Sequence, residues 1–270
     1  MAYRAPRYSY VHAARDVGAD AITIHGSETA DPDFPLDNLI DDRAGTLFKF
    51  SQSYVSPIIV IDLGAGPGTT GLDRVIIPAN HNITSFRVIE DDAADMGGFN
   101  ILLANTDTTP GTLIAETMTS SAKQYIGVQM NTTDLFYMPQ LILSKIVTLD
   151  VGPALEDSPD GKIDNVTRLE RNSGQSPTIQ HGPQQRVIEY EYESPLEGAD
   201  LTAMEALVDS VGMVRPFFVD PASFSATPED DEPALWMKFA EMPQSRNSIL
   251  VPMNGARSKT YRLQLIESLD

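Results

Sequence analysis

The side chains present and their spacing narrow the chemistry open to this chain. Cysteine is absent, so neither a disulfide nor a thiolate nucleophile is available. The four histidines (His12, His25, His81 and His181) are scattered, whereas a zinc site needs a clustered ligand set. No Gly-x-Ser-x-Gly elbow marks a hydrolase serine. Gly64-Ala65-Gly66-Pro67-Gly68-Thr69-Thr70-Gly71 looks like a phosphate loop in glycine content alone. The lysine of that motif is missing, and a strand is expected after it instead of a helix whose N-terminus would hold phosphate. Carboxylates remain. Asp31, Asp33, Asp37, Asp41 and Asp42 crowd one stretch. Within it Asp37, Asp41 and Asp42 are candidates for a structural Ca²⁺, which takes carboxylate and carbonyl oxygens. The EF-hand spacing is absent, and turn-forming or capping aspartates are the plainer account. Among 38 acidic residues nothing singles out a glycosidase pair. The expectation is a protein without a reactive centre: not an enzyme, and with no cofactor beyond that possible ion.

The bulk of the chain is ordinary for a globular protein, with 270 residues, 41% hydrophobic and 21% charged. Its net charge is −19, and acids outnumber bases two to one in either half. With no basic stripe, sequence-specific nucleic-acid binding is not expected. No apolar run approaches the ~18 residues of a membrane span. Met1-Ala2-Tyr3-Arg4-Ala5-Pro6 lacks the apolar core of a secretory signal, so synthesis in a cytosol is expected.

Short apolar runs bounded by Gly, Pro, Asn and Asp predominate along the chain. Strands are expected at 21–24, 58–63, 72–77, 85–90, 99–104, 123–129 and 141–149, spaced as in an antiparallel sandwich. Ile58-Ile59-Val60-Ile61 is apolar throughout, as in a strand buried on both faces. The run from Glu90 to Asp95 reads as a solvated loop. Turn formers recur every few residues from Gly152 to Gln185, which reads as an extended arm. Beyond it, Arg186-Val187-Ile188-Glu189-Tyr190-Glu191-Tyr192 alternates as a half-buried strand. A helix follows, with Thr202 to Glu205 as a capping box, Leu201, Met204, Leu207, Val208 and Val211 as its apolar stripe, and Gly212 as its C-cap. Three more strands give the order β-α-β-β-β, an α+β arrangement. Consecutive Phe217 and Phe218 point to opposite faces of a strand, so one is expected in the core and the other in a second layer or, by preference, at a subunit contact. Trp236 is expected in core packing.

Two stretches carry a resemblance. Phe34-Pro35-Leu36-Asp37-Asn38-Leu39-Ile40-Asp41-Asp42-Arg43, followed by Ile58 to Gly64 ending in Asp-Leu-Gly, resembles the discoidin-like (galactose-binding-like) β-sandwich. Leu47-Phe48-Lys49-Phe50 stands where such modules often carry a Trp. Apolar bulk is kept, but the chain departs from the pattern at a sugar-stacking position. The second half has a helix, Gly212, Arg215-Pro216-Phe217-Phe218-Val219-Asp220-Pro221, a Trp strand and Leu263-Gln264-Leu265-Ile266-Glu267. It is similar to tail-tip (distal-tail, baseplate) proteins of long-tailed bacteriophages. The resemblance implies a sandwich at 1–151, an arm at 152–185 and a tail-tube-like α+β domain at 186–270. It also implies a homo-oligomeric ring in the virion tail tip, with tail-tube, tape-measure and baseplate hub proteins as partners. An acidic ring suits a tube that must pass DNA without holding it. The alternative is a carbohydrate-binding adhesion protein of the virion that touches host glycan through residues 26–56 and 79–98.

Overall fold

A computed structural model describes residues 5–43, 45–64, 71–154, 160–163, 166–168, 178–180, 185–213, 215–221, 235–247 and 258–268. The fold is mainly β, with two α-helices among the described residues, and divides into two compact units. One is Ser9–Ile146; the other joins Met1–Tyr8 to Val147–Leu269.

In the Ser9–Ile146 unit the apolar runs form a sandwich of two antiparallel sheets. The larger has the strand order Ile22–Ile24, Ile58–Asp62, Tyr125–Asn131, Ser85–Asp91, Asn100–Asp107. The smaller has the order Ile142–Ser144, Arg74–Ile77, Ile114–Thr117. Alternate residues of each strand face the space between them. Ile59, Ile61, Phe86, Val88, Ile126 and Val128 from one sheet meet Val75, Ile77, Ile114 and Leu143 from the other. Ile58–Asp62 is buried on both faces as its composition predicts, since Val60 joins Ile89 and Met96 in a second cluster. Apolar bulk in the segment Leu47–Phe50 is buried as expected: Phe48 and Phe50 pack with Phe136, ring to ring, at 5.0–6.1 Å.

The charge run after residue 89 is not simply solvated. Glu90 is buried, and its Oε2 accepts the backbone N–H groups of Ala122 (2.7 Å) and Lys123 (3.0 Å). Spacing along the chain cannot show this, because the two donors lie more than thirty residues away. Glu90→Ala strands both donors and is expected to lower unfolding free energy in urea by about 2 kcal/mol, with Glu90→Gln recovering part of it. An unchanged midpoint for the alanine variant would mean that water replaces the carboxylate.

The second unit centres on a sheet whose path runs Val147–Thr148, Arg7–Ser9, Phe217–Asp220, Leu235–Phe239, Ser258–Glu267, Gln185–Glu197, Asp160–Ile163. Arg7–Ser9 was not foreseen as a strand, and residues up to Tyr8 belong with the C-terminal half. Pairing of Arg7 with Thr148 and Tyr8 with Val147 is a long-range event with no local signature. Within 152–185, expected as an extended arm, Asp160–Ile163 pairs with Gln185–Glu197, and Val166–Arg168 pairs with Thr178–Gln180. Residues 155–159, 164–165, 169–177 and 181–184 lie outside the described residues.

The helix spans Gly198–Val211 and buries Leu201, Met204, Leu207 and Val211, the predicted stripe without Val208. Its capping box is corrected. The long strand runs directly into the helix at Gly198 (φ +53°), so Thr202 lies one turn inside and donates to the Gly198 carbonyl at 2.9 Å. Asp200 occupies the first turn instead, accepting N–H bonds from Asp150 (3.1 Å) and Val151 (3.0 Å). The assembly role expected of Phe217 and Phe218 is also corrected. Both are 1% exposed, because their strand is covered on both faces within the unit. Phe217 packs against Tyr8 and Phe239, and Phe218 meets Trp236 edge-on at 4.4 Å. Neither ring presents a surface to a second copy.

Candidate functional site

The outer face of the five-stranded sheet follows from the same alternation that builds the core. Ile126, Val128 and Met130 turn inward, so Tyr125, Gly127, Gln129 and Asn131 turn outward. Beside them Phe86 and Val88 turn inward while Ser85, Arg87, Ile89 and Asp91 turn outward. The register sets Arg87 opposite Gln129, Ser85 opposite Asn131, and Ile89 opposite Gly127. Ile58 and Val60 flank Gln129 and Gly127 on the other side.

Residues 92–99 fold back over part of this face. The Asp91 carboxylate accepts N–H bonds from Asp92 (2.7 Å) and Gly98 (2.9 Å), and Asp95 accepts from Gly97 (3.1 Å). The Gly98 bond first, then those to Asp92 and Ala93 and the Lys123 charge, hold Asp91 below the usual carboxylate range. His25 bonds the Asp95 carbonyl at 2.9 Å, and Lys123 pairs with Asp92. Met96, at φ +49°, drops its side chain onto Val60 and Ile89.

The uncovered part of the face is polar and continuous. Arg87 Nε donates to Gln129 Oε1, and Gln129 Nε2 donates to the Ser56 carbonyl at 3.1 Å. Ser56 Oγ donates to Asn131 Oδ1 at 2.5 Å, and Asn131 Nδ2 donates to Ser85 Oγ at 2.9 Å. The Arg87 guanidinium stands 4.9 Å over the Phe99 ring, which is 37% exposed. Planar donors and acceptors locked in one row beside an exposed apolar ring suit a ligand with both hydroxyls and apolar C–H faces. A hydroxyl trio, Thr29, Ser51 and Tyr54, lies in the loops preceding Ile58–Asp62. Thr29 Oγ1 is 2.7 Å from Ser51 Oγ, and the Thr29 N–H donates to the Tyr54 hydroxyl at 3.1 Å. Bonds to Ser51 and then Thr29 lower the Tyr54 phenol pKa.

The residues singled out in the sequence are placed otherwise. Asp41 accepts from the Arg43 N–H (2.9 Å) and the Thr46 hydroxyl (2.6 Å). Asp42, at φ +59°, takes both carboxylate oxygens to Arg15 at 3.0 Å. Asp37 is exposed in the first turn of the short helix Leu36–Leu39. Thus the structure uses Asp41 and Asp42 in a turn and an ion pair. Among the described residues no three His, Cys, Asp or Glu are grouped to hold a metal ion. His12 caps a helix, and His25 holds residue 95. His81 is buried and bonds the Thr112 carbonyl at 2.6 Å; burial lowers its pKa, against that bond. His181 and residues 65–70 of the glycine-rich loop lie outside the described residues. The element after that loop is a strand, Arg74–Ile77, as expected.

In the second unit, Glu191, Glu193, Gln244, Arg246, Thr260 and Arg262 line a shallow cleft. There Arg262 is committed to Glu189. Arg87 falls within the stretch 79–98 read from the sequence as a glycan-touching loop, on the strand Ser85–Asp91, whereas Phe99, Gln129 and Asn131 fall outside both stretches. The one local signal was the outward alternation of Gln129 and Asn131 between buried apolar residues.

No protein-family model matches the sequence, and no curated protein matches it. Among solved structures the chain is similar to chitosan-binding module 1 of a chitosanase/glucanase from Paenibacillus sp. IK-5. That pair shares 15% identity over 51% of this chain and 98% of that one, with a TM-score of 0.40. It is similar also to module 2 of the same enzyme, solved with chitotriose: 16% identity, 47% and 94% covered, TM-score 0.38. A third is a GH29 fucosidase from Ruminococcus gnavus in complex with fucose: 22% identity, 51% of this chain, 27% of that chain, TM-score 0.39.

Proposed function

We propose that the protein is a non-catalytic binding protein whose Ser9–Ile146 sandwich takes carbohydrate on the outer face of its larger sheet. The observation that supports this reading is the row Ser56, Asn131, Gln129 and Arg87, linked by side-chain hydrogen bonds and one to the Ser56 backbone carbonyl, and ending on the exposed Phe99 ring. Such a row is pre-organised, so a sugar displaces water without first ordering the protein. Affinity electrophoresis of the whole chain through gels of soluble polysaccharides tests it. Retardation by at least one polysaccharide is expected, and Phe99→Ala or Gln129→Ala should abolish it while leaving thermal unfolding near wild type. Unretarded migration in every gel, or retardation that both variants share with wild type, would falsify the reading.

A second reading is favoured by the other unit. There a 14-residue helix follows a long strand and lies against antiparallel strands, as the phage tail-tip resemblance implies, although four described strands follow it where three were expected. In this reading the protein is a structural part of a virion tail tip, ringed with copies of itself and meeting tail-tube, tape-measure and hub proteins. The sandwich then serves as its host-glycan module, so the two readings are compatible. Light scattering on the purified chain is expected to show a closed oligomer; a monomer at the highest soluble concentration counts against ring assembly. No described helix is long and apolar enough to cross a membrane.

A further inference from the structure

We infer that the ligand of this face is an acidic sugar, a uronic-acid unit whose carboxylate is taken by Arg87. The inference rests on the carbohydrate-binding reading above and specifies its ligand class. Arg87 spends Nε on the neutral Gln129 carboxamide and holds its guanidinium carbon 4.9 Å from the centre of the Phe99 ring. Among the described residues no carboxylate lies within ion-pair distance of it, although acids outnumber bases two to one in the chain. The acids nearest along its own strand are already used. Asp91 is turned to the backbone of residues 92 and 98, and Glu90 faces the other way, to Ala122 and Lys123.

The terminal nitrogens therefore form a rigid, partly exposed fork without an internal counter-charge. Its spacing matches the two oxygens of a carboxylate. Stacking on the ring holds the fork in one orientation, so little rotamer freedom is lost on binding. Phe99 beside it offers an apolar surface to the C–H face of the same ring. Gln129 and Asn131 offer amide groups to its hydroxyls. A neutral sugar fills the apolar and amide subsites and leaves the cation unpaired; an acidic one fills all three.

Calorimetric titration of the whole chain with oligogalacturonate and with its methyl ester tests this directly, because the ester keeps the sugar rings and hydroxyls and masks the carboxylate charge with a methyl group. The acid form is expected to bind about tenfold tighter or more, a gap that narrows at high salt. Arg87→Gln should erase the gap between acid and ester, and Arg87→Lys should recover it only in part. Equal affinity for acid and ester in the wild type overturns the inference and leaves the carbohydrate reading standing. So does binding confined to neutral polysaccharides. Failure to bind any polysaccharide overturns both. Binding of dextran sulfate as tight as that of oligogalacturonate also overturns it, since generic anion attraction would then suffice.

Discussion

Valine at position 127 is expected to destabilise the Ser9–Ile146 unit by about 3 kcal/mol, toward the upper end for an over-packed interior. Gly127 sits midway along Tyr125–Asn131 with its bare face toward residues 92–99. A Cβ built there stands 2.9 Å from Ile89 Cγ1, 3.1 Å from Met96 Cε and 3.2 Å from Ile58 Cγ2. Ile58 and Ile89 belong to the two neighbouring strands and are fixed by ladder bonds. Met96 belongs to a loop, so it is the contact that gives way. Its departure exposes Val60 and Ile89 and loosens the segment that leads into Phe99. The variant should therefore show a lower urea midpoint and faster amide exchange at Gly97 and Gly98. Alanine should do the same on a smaller scale, about 1 kcal/mol. Adding Met96→Ala to the valine variant should recover part of the loss by vacating the space. A valine variant with the wild-type midpoint and undiminished exchange protection would mean that Met96 does not close this face.

The second large effect is expected with acid. His12 is 3% exposed; its Nδ1 accepts the Arg15 N–H at 3.2 Å as the cap of the helix Ala13–Val17. Its Nε2 is buried without a hydrogen-bond partner among the described residues. Burial, and then the Arg15 charge, bring its pKa down to about 3, opposed by a backbone hydrogen bond. In the unfolded chain an ordinary histidine titrates near ~6.5, so on acidification the unfolded state takes up the proton first. Stability from this residue is complete above ~6.5 and is lost progressively as pH falls toward about 3. The slope is roughly 1.4 kcal/mol per pH unit, and the whole loss about 4–5 kcal/mol. Carboxylates titrate in the same window, so the measurement is a difference. His12→Asn keeps an oxygen at the cap and removes the titration. The stability advantage of wild type over this variant should shrink, and then reverse, between pH 6.5 and 4. An advantage that stays constant across that range would place the histidine in contact with water.

How much of this was legible differs between the fold and the site. The strands at 58–62, 85–91 and 125–131 declare themselves through β-branched runs and alternation, and the helix stripe through its period. Both depend on neighbours within a few residues. The helix start was misplaced because Thr202 and Glu205 carry the local capping signal, whereas the strand before Gly198 leaves no turn to host it. Phe217 and Phe218 alternate as foreseen, yet Tyr8 and Trp236 cover them from opposite ends of the chain. Only packing supplies that information. Asp41 bonds within its own turn, which the local sequence suggests, but the Arg15 partner of Asp42 lies 27 residues away.

Residue order alone therefore determined a mainly β chain in two parts, the inward face of each strand and the scarcity of reactive side chains, since periodicity and composition are local properties. Register decided which outward residues become neighbours. It joins Arg87 to Gln129 across 42 positions, and a slip of one residue would turn both to the core. The polar row on the outer face exists only through that pairing, and through a loop that covers part of the sheet and leaves the rest open.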